Sequence, residues 1–193
     1  MRIIPARDYR RMRWKNGGGE TIEIAVSPPD ASLDDFHWRV SMAHVASAGP
    51  FSHFVGVDRS LAVIAGDGIV LRVGGRGEVR LTQDVPPFAF PGDLPVDASL
   101  VGGAIDDLNV MSRHGRYRHL LSRVQIRDTA VLPRHGDIMV ALLRGSGAKL
   151  RCGRKRETIA DGDTVVLDEA ERTKVEIVPE KPAELLVVDF WRG

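Results

Sequence analysis

A glycine-rich stretch between aromatic and acidic residues is the first place in the chain that could do chemistry. Its sequence is Trp14-Lys-Asn-Gly-Gly-Gly-Glu-Thr-Ile-Glu23. Glycine adopts a positive φ without steric cost, so three successive glycines can turn their peptide N–H groups toward one point. Such N–H groups can form a concave site for an anion or a carbonyl oxygen. Trp14 and Asn16 add recognition-type side chains, although three glycines alone also fit a plain hairpin tip.

The predicted strand 38–45 carries a guanidinium and a hydroxyl on one face. Side chains alternate along a strand, so Arg39 and Ser41 share a face with Ala43, opposite Trp38 and Val40. Inside a barrel, the arginine would offer a bidentate fork to a carboxylate, and the serine one further hydrogen bond. On alternation alone, the alternative is that this face meets solvent, with Arg39 in water.

Four further residues could complete a polar cluster. Thr21 and Glu23 share a face, and a buried Glu23 would need Arg39 or Arg59 as a partner because an unpaired buried carboxylate is costly. An exposed Glu23 fits the sequence equally well. Arg59 is either a second anion ligand or an ordinary surface charge at a strand end. Asn109 lies in an otherwise apolar strand and must find partners, which a ligand or the glycine turn could supply.

The segment Gly49-Pro-Phe-Ser-His53 is typical of a tight turn. Phe51 is most simply a core residue. Ser52 either caps the turn or meets a ligand, and the sequence does not separate these two roles.

Five segments that occur in order along the first part of the chain resemble the HutD/Ves family. They read WKNGGGETIEI, WRVSMA, GPFS, GVDRSLAVIAGDG and DLNVMSR, and they fall within roughly residues 1–113. The resemblance implies an all-β, cupin-like fold (an RmlC-like jelly roll) of the bicupin type. It also implies a cytoplasmic accessory or regulatory role linked to histidine utilisation, with binding of small acidic metabolites such as formylglutamate or urocanate.

Residue types and resemblance together predict a site for a small acidic metabolite in the first barrel. The predicted ligand-binding residues are Trp14, Asn16, Gly17, Gly18, Gly19, Thr21, Glu23, Arg39, Ser41, Phe51, Ser52, Arg59 and Asn109. No catalytic residue is assigned. One alternative is a hydrolase, isomerase or lyase for the same metabolites, with Glu23 or His44 as general base. Another is a protein-interaction module that uses exposed sheet edges.

The spacing of the histidines argues against a metal site. Metal-binding cupins usually carry a His-x-His pair followed by Glu and a distant third His, and none of the six histidines here forms such a pair. A site of two histidines and one carboxylate could be assembled from distant residues, but nothing in the spacing asks for it. We therefore predict no metal and no cofactor.

Short alternating or β-branched runs, separated by Gly, Pro and Asp, predict an all-β sandwich or barrel. The predicted strands are 21–26, 38–45, 61–65, 69–73, 78–81, 97–100, 108–111, 119–126, 138–143, 148–152, 164–167, 174–178 and 185–190. The best helix candidate is Ala31–Phe36, at most a turn or two.

A faint internal repeat predicts two tandem barrels. Residues 61–74 align with 140–153 at a constant offset of 79, each as strand, Gly-x-Gly and strand. Any two hairpins with a glycine turn look somewhat alike, so the repeat alone leaves this open. We expect one bicupin-like unit, with a first barrel over about 1–113 that carries the motifs and a plainer, mainly structural barrel over about 114–193. The segment Arg113–Arg118 is the expected crossover.

Composition narrows the class of partner. The formal net charge is +1, which gives no general attraction to nucleic acid or membranes. Cys152 is the single cysteine, so no internal disulfide can form. The N-terminal residues do not read as a signal peptide, and no apolar run approaches the roughly 20 residues that span a bilayer. We expect a cytoplasmic protein whose partner is a small acidic metabolite rather than nucleic acid or a membrane. Monomer and homodimer both stay open.

Overall fold

The computed structural model describes residues 1–14, 19–132, 134–168 and 173–193. The candidate residues Asn16, Gly17 and Gly18 lie outside the described residues. Within the described ranges the chain forms β-strands and one short 3-10 helix, Ala6–Asp8. No helix in this part of the chain is long and apolar enough to cross a membrane.

Most of the strands overlap the predicted runs of alternating and β-branched residues. They are β1 Arg2–Ile4, β2 Arg10–Arg13, β3 Gly19–Ser27, β4 Trp38–Val45, β5 Gly49–Pro50, β6 Val57–Ala65, β7 Ile69–Val73, β8 Gly77–Leu81, β9 Phe88–Pro91, β10 Val96–Leu100, β11 Ile105–Arg113, β12 Tyr117–Ile126, β13 Ala130–Val131, β14 Ile138–Arg144, β15 Ala148–Cys152, β16 Lys155–Ile159, β17 Thr164–Leu167, β18 Val175–Pro179 and β19 Ala183–Arg192.

The helix predicted at Ala31–Phe36 is wrong. The segment forms a turn between β3 and β4. The hydroxyl of Ser32 accepts a hydrogen bond from the amide of Asp34 and contacts the carboxylate of Asp35 at 2.8 Å. Serine and aspartate side chains compete in this way with a continuing helix. The turn ends at Phe36, whose side chain is fully buried.

The chain divides into two compact units, which we call the first and second units. The first unit comprises Arg10–Arg118 with Gly193, and the second comprises Met1–Tyr9 with His119–Arg192. The second unit is therefore assembled from both ends of the described chain.

Both units contain a larger and a smaller sheet with matching strand orders. In the first unit the six-stranded order is β2-β3-β4-β11-β6-β9 and the four-stranded order is β5-β10-β7-β8. In the second unit the five-stranded order is β1-β17-β14-β19-β12 and the four-stranded order is β13-β18-β15-β16. The series β4-β11-β6-β9 thus corresponds to β12-β19-β14-β17. This match agrees with the repeat in the sequence, and the two-barrel form stays a prediction.

The apolar core of the first unit is built from facing sides of its two sheets. Val45, Leu61 and Val63 of the six-stranded sheet pack in one cluster with Ile69 and Leu71 of the four-stranded sheet. The side of the six-stranded sheet that carries Leu61 and Val63 is called its inner face below. It is the face on which the candidate polar residues lie.

Candidate functional site

The inner face of the six-stranded sheet contains a set of buried polar side chains. Strand pairing places Arg39 of β4 and Arg59 of β6 on either side of Met111 of β11. Opposite residues in an antiparallel sheet point to the same face, so both guanidinia lie on one side. Arg39 and Arg59 are each only 5% exposed. The alternative that these arginines are surface charges is wrong.

On this face, the next two inward-facing positions of β11 also carry polar side chains. Asn109 of β11 lies between Ser41 and Leu61, and Asp107 lies between Ala43 and Val63. Ser41, Asn109 and Asp107 are 3%, 9% and 1% exposed. Along β11 the inner face therefore passes from the two guanidinia to an amide and then to a carboxyl group.

Arg39 forms an ion pair with Glu23, as the sequence analysis proposed for a buried Glu23. The Nε atom of Arg39 donates to Oε2 of Glu23 at 2.6 Å, and the two side chains are 7% and 13% exposed. A β-bulge interrupts β3 between Glu23 and Ala25. Ser41 lies opposite Glu23, and its hydroxyl is 3.5 Å from Nη1 of Arg39. Arg39 is thus held in place by a charged partner on the neighbouring strand.

Arg59 is enclosed by three phenylalanine rings. Its guanidinium carbon lies 5.1, 5.5 and 5.1 Å from the ring centres of Phe51, Phe54 and Phe90. Such cation–π contacts favour the charged form. Nevertheless, burial lowers the pKa of Arg59 to about 10, while Asp107 acts to raise it. The side chain therefore keeps its charge near neutral pH.

The hydrogen-bonding capacity of Arg59 is only partly used. Its Nη1 donates to the backbone carbonyl of Ser52 at 3.1 Å. Its Nε has no hydrogen-bond partner among the described residues. Phe51 packs against the apolar core as expected. The side chain of Ser52 is exposed, so the residue contributes its backbone oxygen to Arg59.

Asp107 is the polar residue of this face that the sequence analysis did not select. Burial raises its pKa to about 7, against the opposing effect of Arg59, and Asp106 raises it further. Its Oδ1 is buried without a hydrogen-bond partner in the described part of the chain. The sequence did indicate that Asp107 lies on this face, because it is two residues from Asn109 in the same strand and side chains two apart share a face.

Asn109 also has an unused acceptor. Its Oδ1 is buried, and no described residue donates a hydrogen bond to it. Buried polar atoms are almost always hydrogen-bonded in proteins, and each exception calls for an explanation such as a bound water or ligand. Two neighbouring acceptors and the Nε donor of Arg59 are left in this state on a single face.

The described end of the glycine-rich stretch is closely packed. The indole Nε1 of Trp14 donates to the hydroxyl of Thr21 at 2.8 Å, and Trp14 packs against the apolar core. A Cβ atom at Gly19 would lie 2.1 Å from the carbonyl oxygen of His44. Glycine is therefore required at position 19 by the close approach of β3 and β4. The concave site of N–H groups predicted for this stretch depends on Gly17 and Gly18, which lie outside the described ranges, so it stays a prediction.

The histidine proposed as a general base is on the wrong side of the sheet. His44 alternates with Ala43 and Val45 and so faces away from the core. Its Nδ1 lies 2.8 Å from the carboxylate of Asp106, with both side chains nearly half exposed. Glu23, the other proposed base, is engaged by Arg39. Neither residue is free to act as a base at the buried polar face.

The donor set of this face does not fit the metal sites typical of cupins. Its described carboxyl groups are Glu23 and Asp107, and the described residues include no group of three or more His, Cys, Asp or Glu placed to hold an ion. The chemistry that the face offers is instead that of hydrogen bonds and charge: guanidinium donors at one end and oxygen acceptors at the other.

Comparison with known proteins shows relatives over most of the chain. A protein from Pseudomonas putida described as an uncharacterized 21.2 kDa protein in the hutC 3' region is 42% identical over 118 residues, which is 61% of each chain. Protein Ves from Citrobacter koseri is 38% identical over 125 residues, 63% of this chain and 62% of the relative. These matches span less than two thirds of the length of the curated relatives.

Solved structures extend the likeness to the whole chain. A conserved protein of unknown function from Pseudomonas aeruginosa PAO1 superposes with a TM-score of 0.89 at 31% identity, covering 98% of this chain and 97% of that one. HutD from Pseudomonas fluorescens SBW25, in a formate condition, gives 0.81 at 29% identity, covering 100% and 98%.

A more distant neighbour confirms the predicted fold class. The oxalate decarboxylase of Lactobacillus farciminis gives a TM-score of 0.69 at 10% identity over 97% of this chain and 85% of its own. The fold is thus all-β and cupin-like. The HutD family profile matches residues 6–186. The chain therefore belongs to the HutD family.

Proposed function

We propose that this protein is a cytoplasmic accessory or regulatory protein of histidine utilisation that binds a small acidic metabolite on the inner face of the first unit, without a metal. The observation that carries the proposal is the pair of buried guanidinia on either side of Met111. Neighbouring strands are about 4.8 Å apart, so the two arginine backbones are separated by about 10 Å. We propose that one small anion contacts both guanidinia, next to the side chain of Met111.

The charge balance of the face supports an acidic guest. Glu23 neutralises Arg39 directly. Arg59 faces Asp107, whose raised pKa leaves that carboxyl group partly protonated near neutral pH. A carboxylate ligand would supply the charge that Asp107 supplies incompletely, and it would bring acceptors to the unused Nε of Arg59.

The names of the relatives support a link to histidine utilisation. The Pseudomonas putida relative is described by its position in the hutC 3' region, and the chain shares its family with HutD of Pseudomonas fluorescens. Formylglutamate and urocanate are the metabolites we propose, because both carry carboxylates that suit the arginine pair.

Calorimetric titration with N-formyl-L-glutamate and urocanate tests this proposal. Arg39→Met and Arg59→Met should each weaken binding by about 100-fold, since a lost charge-assisted hydrogen bond costs up to about 3 kcal/mol. The matched control is Arg72→Met, because Arg72 is exposed and pairs with Glu78 at the surface. Failure of both acids to bind at millimolar concentration, or unchanged binding by the Arg39 and Arg59 variants, contradicts the proposal.

A second candidate function is catalysis on the same metabolite class. It is favoured by Asp107, whose pKa of about 7 suits a general acid or base. In this case the wild type would convert formylglutamate or urocanate, with or without added metal, and Asp107→Asn would abolish turnover while leaving binding measurable. Binding without turnover under all of these conditions leaves the accessory role.

A further inference from the structure

The polar groups of the inner face are sorted by type along β11. The guanidinia of Arg39 and Arg59 flank Met111 at one end. Asn109 and Asp107 follow at the next two inward-facing positions, and each leaves a buried Oδ1 atom without a partner among the described residues. Inward-facing positions on a strand are about 7 Å apart. The face thus has a donor end and an acceptor end within reach of one small molecule.

A carboxylate alone does not satisfy this arrangement. It can accept hydrogen bonds from the guanidinia, but it has no hydrogen to donate to the unpaired Oδ1 atoms of Asn109 and Asp107. A second carboxylate of the ligand near Asp107 would leave the Oδ1 atom of Asn109 unpaired, and it would meet a like charge whenever Asp107 is ionised. The groups that remain suitable are N–H donors, such as a secondary amide or a protonated ring nitrogen.

We infer that Asp107 and Asn109 form an acceptor pair that selects acids carrying an N–H group, with the ligand's carboxylate toward Arg39 and Arg59 and its N–H toward the acceptor pair. This inference rests on the proposed function and deepens it, because it names the part of the ligand that is recognised besides its charge. A site that hydrogen-bonds an N–H rejects the analogue without it, since the buried acceptors are then left unpaired.

Two matched pairs of probes test the inference by calorimetry. N-formyl-L-glutamate is compared with freshly prepared (S)-2-formyloxyglutarate, in which an ester oxygen replaces the N–H. Urocanate is compared with (E)-3-(3-furyl)acrylate, in which a furan replaces the imidazole. The wild type should bind the N–H member of at least one pair about 10- to 100-fold more tightly.

Variants then assign the preference to the acceptor pair. Asn109→Val and Asp107→Leu remove one acceptor each and should reduce the preference to within about 3-fold. Affinity for the analogue without N–H should stay the same or rise, a pattern that general damage to the site does not produce. Near-ultraviolet circular dichroism checks that each variant is folded, and Asn109→Val suffices if Asp107→Leu does not fold.

The outcomes separate the two proposals. Equal affinity of the wild type for both members of each pair overturns this inference and leaves the proposed function standing. A preference that survives in both variants also overturns it, because another group must then read the N–H. If none of the four probes binds, the proposed function fails and the inference fails with it.

Discussion

The two units of the chain share their strand order and differ in what they bury. Their central ladders, β6–β11 and β14–β19, can be aligned from one end, where Ala65 pairs with Asp106 in the first unit and Arg144 pairs with Glu184 in the second. The bulge in the first unit's β6–β11 ladder is skipped in this alignment. Inward-facing pairs then correspond one to one. They are Val63–Asp107 with Leu143–Leu185, Leu61–Asn109 with Ala141–Val187, and Arg59–Met111 with Met139–Asp189.

Three of the polar positions in the first unit are apolar in the second. Arg59, Asp107 and Asn109 correspond to Met139, Leu185 and Val187, which are 0%, 1% and 1% exposed. The second unit therefore forms the same ladder with an ordinary apolar core. The fold does not require a guanidinium, a carboxyl or an amide at these places.

The second unit also contains a buried carboxylate, but a satisfied one. Asp189 corresponds to Met111 and is 2% exposed. Its Oδ1 accepts hydrogen bonds from the backbone amides of His135 and Gly136, both at 2.9 Å. Asp107 is equally buried but leaves Oδ1 unpaired. The difference separates a structural carboxylate from one that is available to a guest.

The largest effect is expected when one polar residue of the candidate site is introduced at the equivalent position of the second unit. Leu185→Asp places a carboxyl group at the position equivalent to Asp107, in a ladder where Met139 replaces Arg59. It should lower the free energy of unfolding by at least about 4 kcal/mol, through lost packing and an unpaired buried charge. Chemical denaturation measures this, with Leu185→Ala as the control for packing. A loss no greater than that of the control contradicts the comparison.

A smaller loss is expected when the satisfied carboxylate is removed. Asp189→Met copies the Met111 position and leaves the amides of His135 and Gly136 without their acceptor. The expected loss is about 2–4 kcal/mol, because two buried donors become unpaired. Asp189→Asn keeps an acceptor oxygen and should lose less. Equal stability of wild type and Asp189→Met would refute the structural role assigned to Asp189.

Replacing Asp107 by the apolar residue of the second unit should change how stability depends on pH. The folded pKa of about 7 lies above the unfolded value of 3.8. This group therefore stabilises the folded state most below about pH 4, and the contribution falls as the pH rises through 7. From pH 5 to pH 8, stability should shift by about 2–3 kcal/mol in favour of Asp107→Leu over the wild type.

Denaturant unfolding at the two pH values measures this shift. Asp97→Asn, which changes an exposed carboxylate on β10, is the matched control and should leave the pH dependence as in the wild type. If wild type and Asp107→Leu follow parallel curves between pH 5 and pH 8, Asp107 is not the buried titrating group described here.

The smallest effect is expected at Asn109. Asn109→Val removes an unused acceptor and should change stability by less than about 1 kcal/mol, whereas the reverse change, Val187→Asn, should cost about 1–3 kcal/mol. Thermal unfolding compares the two. Similar losses in both units would mean that the amide of Asn109 is a structural group.

Strand positions and the faces of strands were predictable from the sequence. The bounds of β4, β7, β15 and β17 match the prediction, because alternation and glycine turns define them locally. The short strands β1, β2, β5, β9, β13 and β16 were missed. Two- to five-residue strands carry too little pattern to stand out from loops.

The candidate site was predictable only where a single strand carries the signal. The burial of Arg39 and its pairing with Glu23 were among the alternatives that charge and alternation left open, and the structure decides between them. The phenylalanine enclosure of Arg59 joins the loop 51–54 and β6 to Phe90 of β9, which is distant in sequence. The Oδ1 atom of Asp107 is unpaired because no described residue donates a hydrogen bond to it. The local sequence pattern does not show which residues will surround that atom in the fold.

The N-terminal residues of the chain supply the strand β1 of the second unit, and this limits how the protein can be divided into fragments. β1 pairs with β17, and the hydroxyl of Tyr9 lies 2.6 Å from that of Thr164. A fragment starting at His119 would lack both contacts and would bare the edge of β17, a template for aggregation. A polypeptide that keeps residues 1–9, replaces 10–118 with a spacer long enough to join β1 and β12 at opposite edges of the five-stranded sheet, and continues from 119 keeps the segments that make both contacts. For protein engineering, the first unit, which carries the candidate site, is an insertion within the second unit and not a separable N-terminal domain.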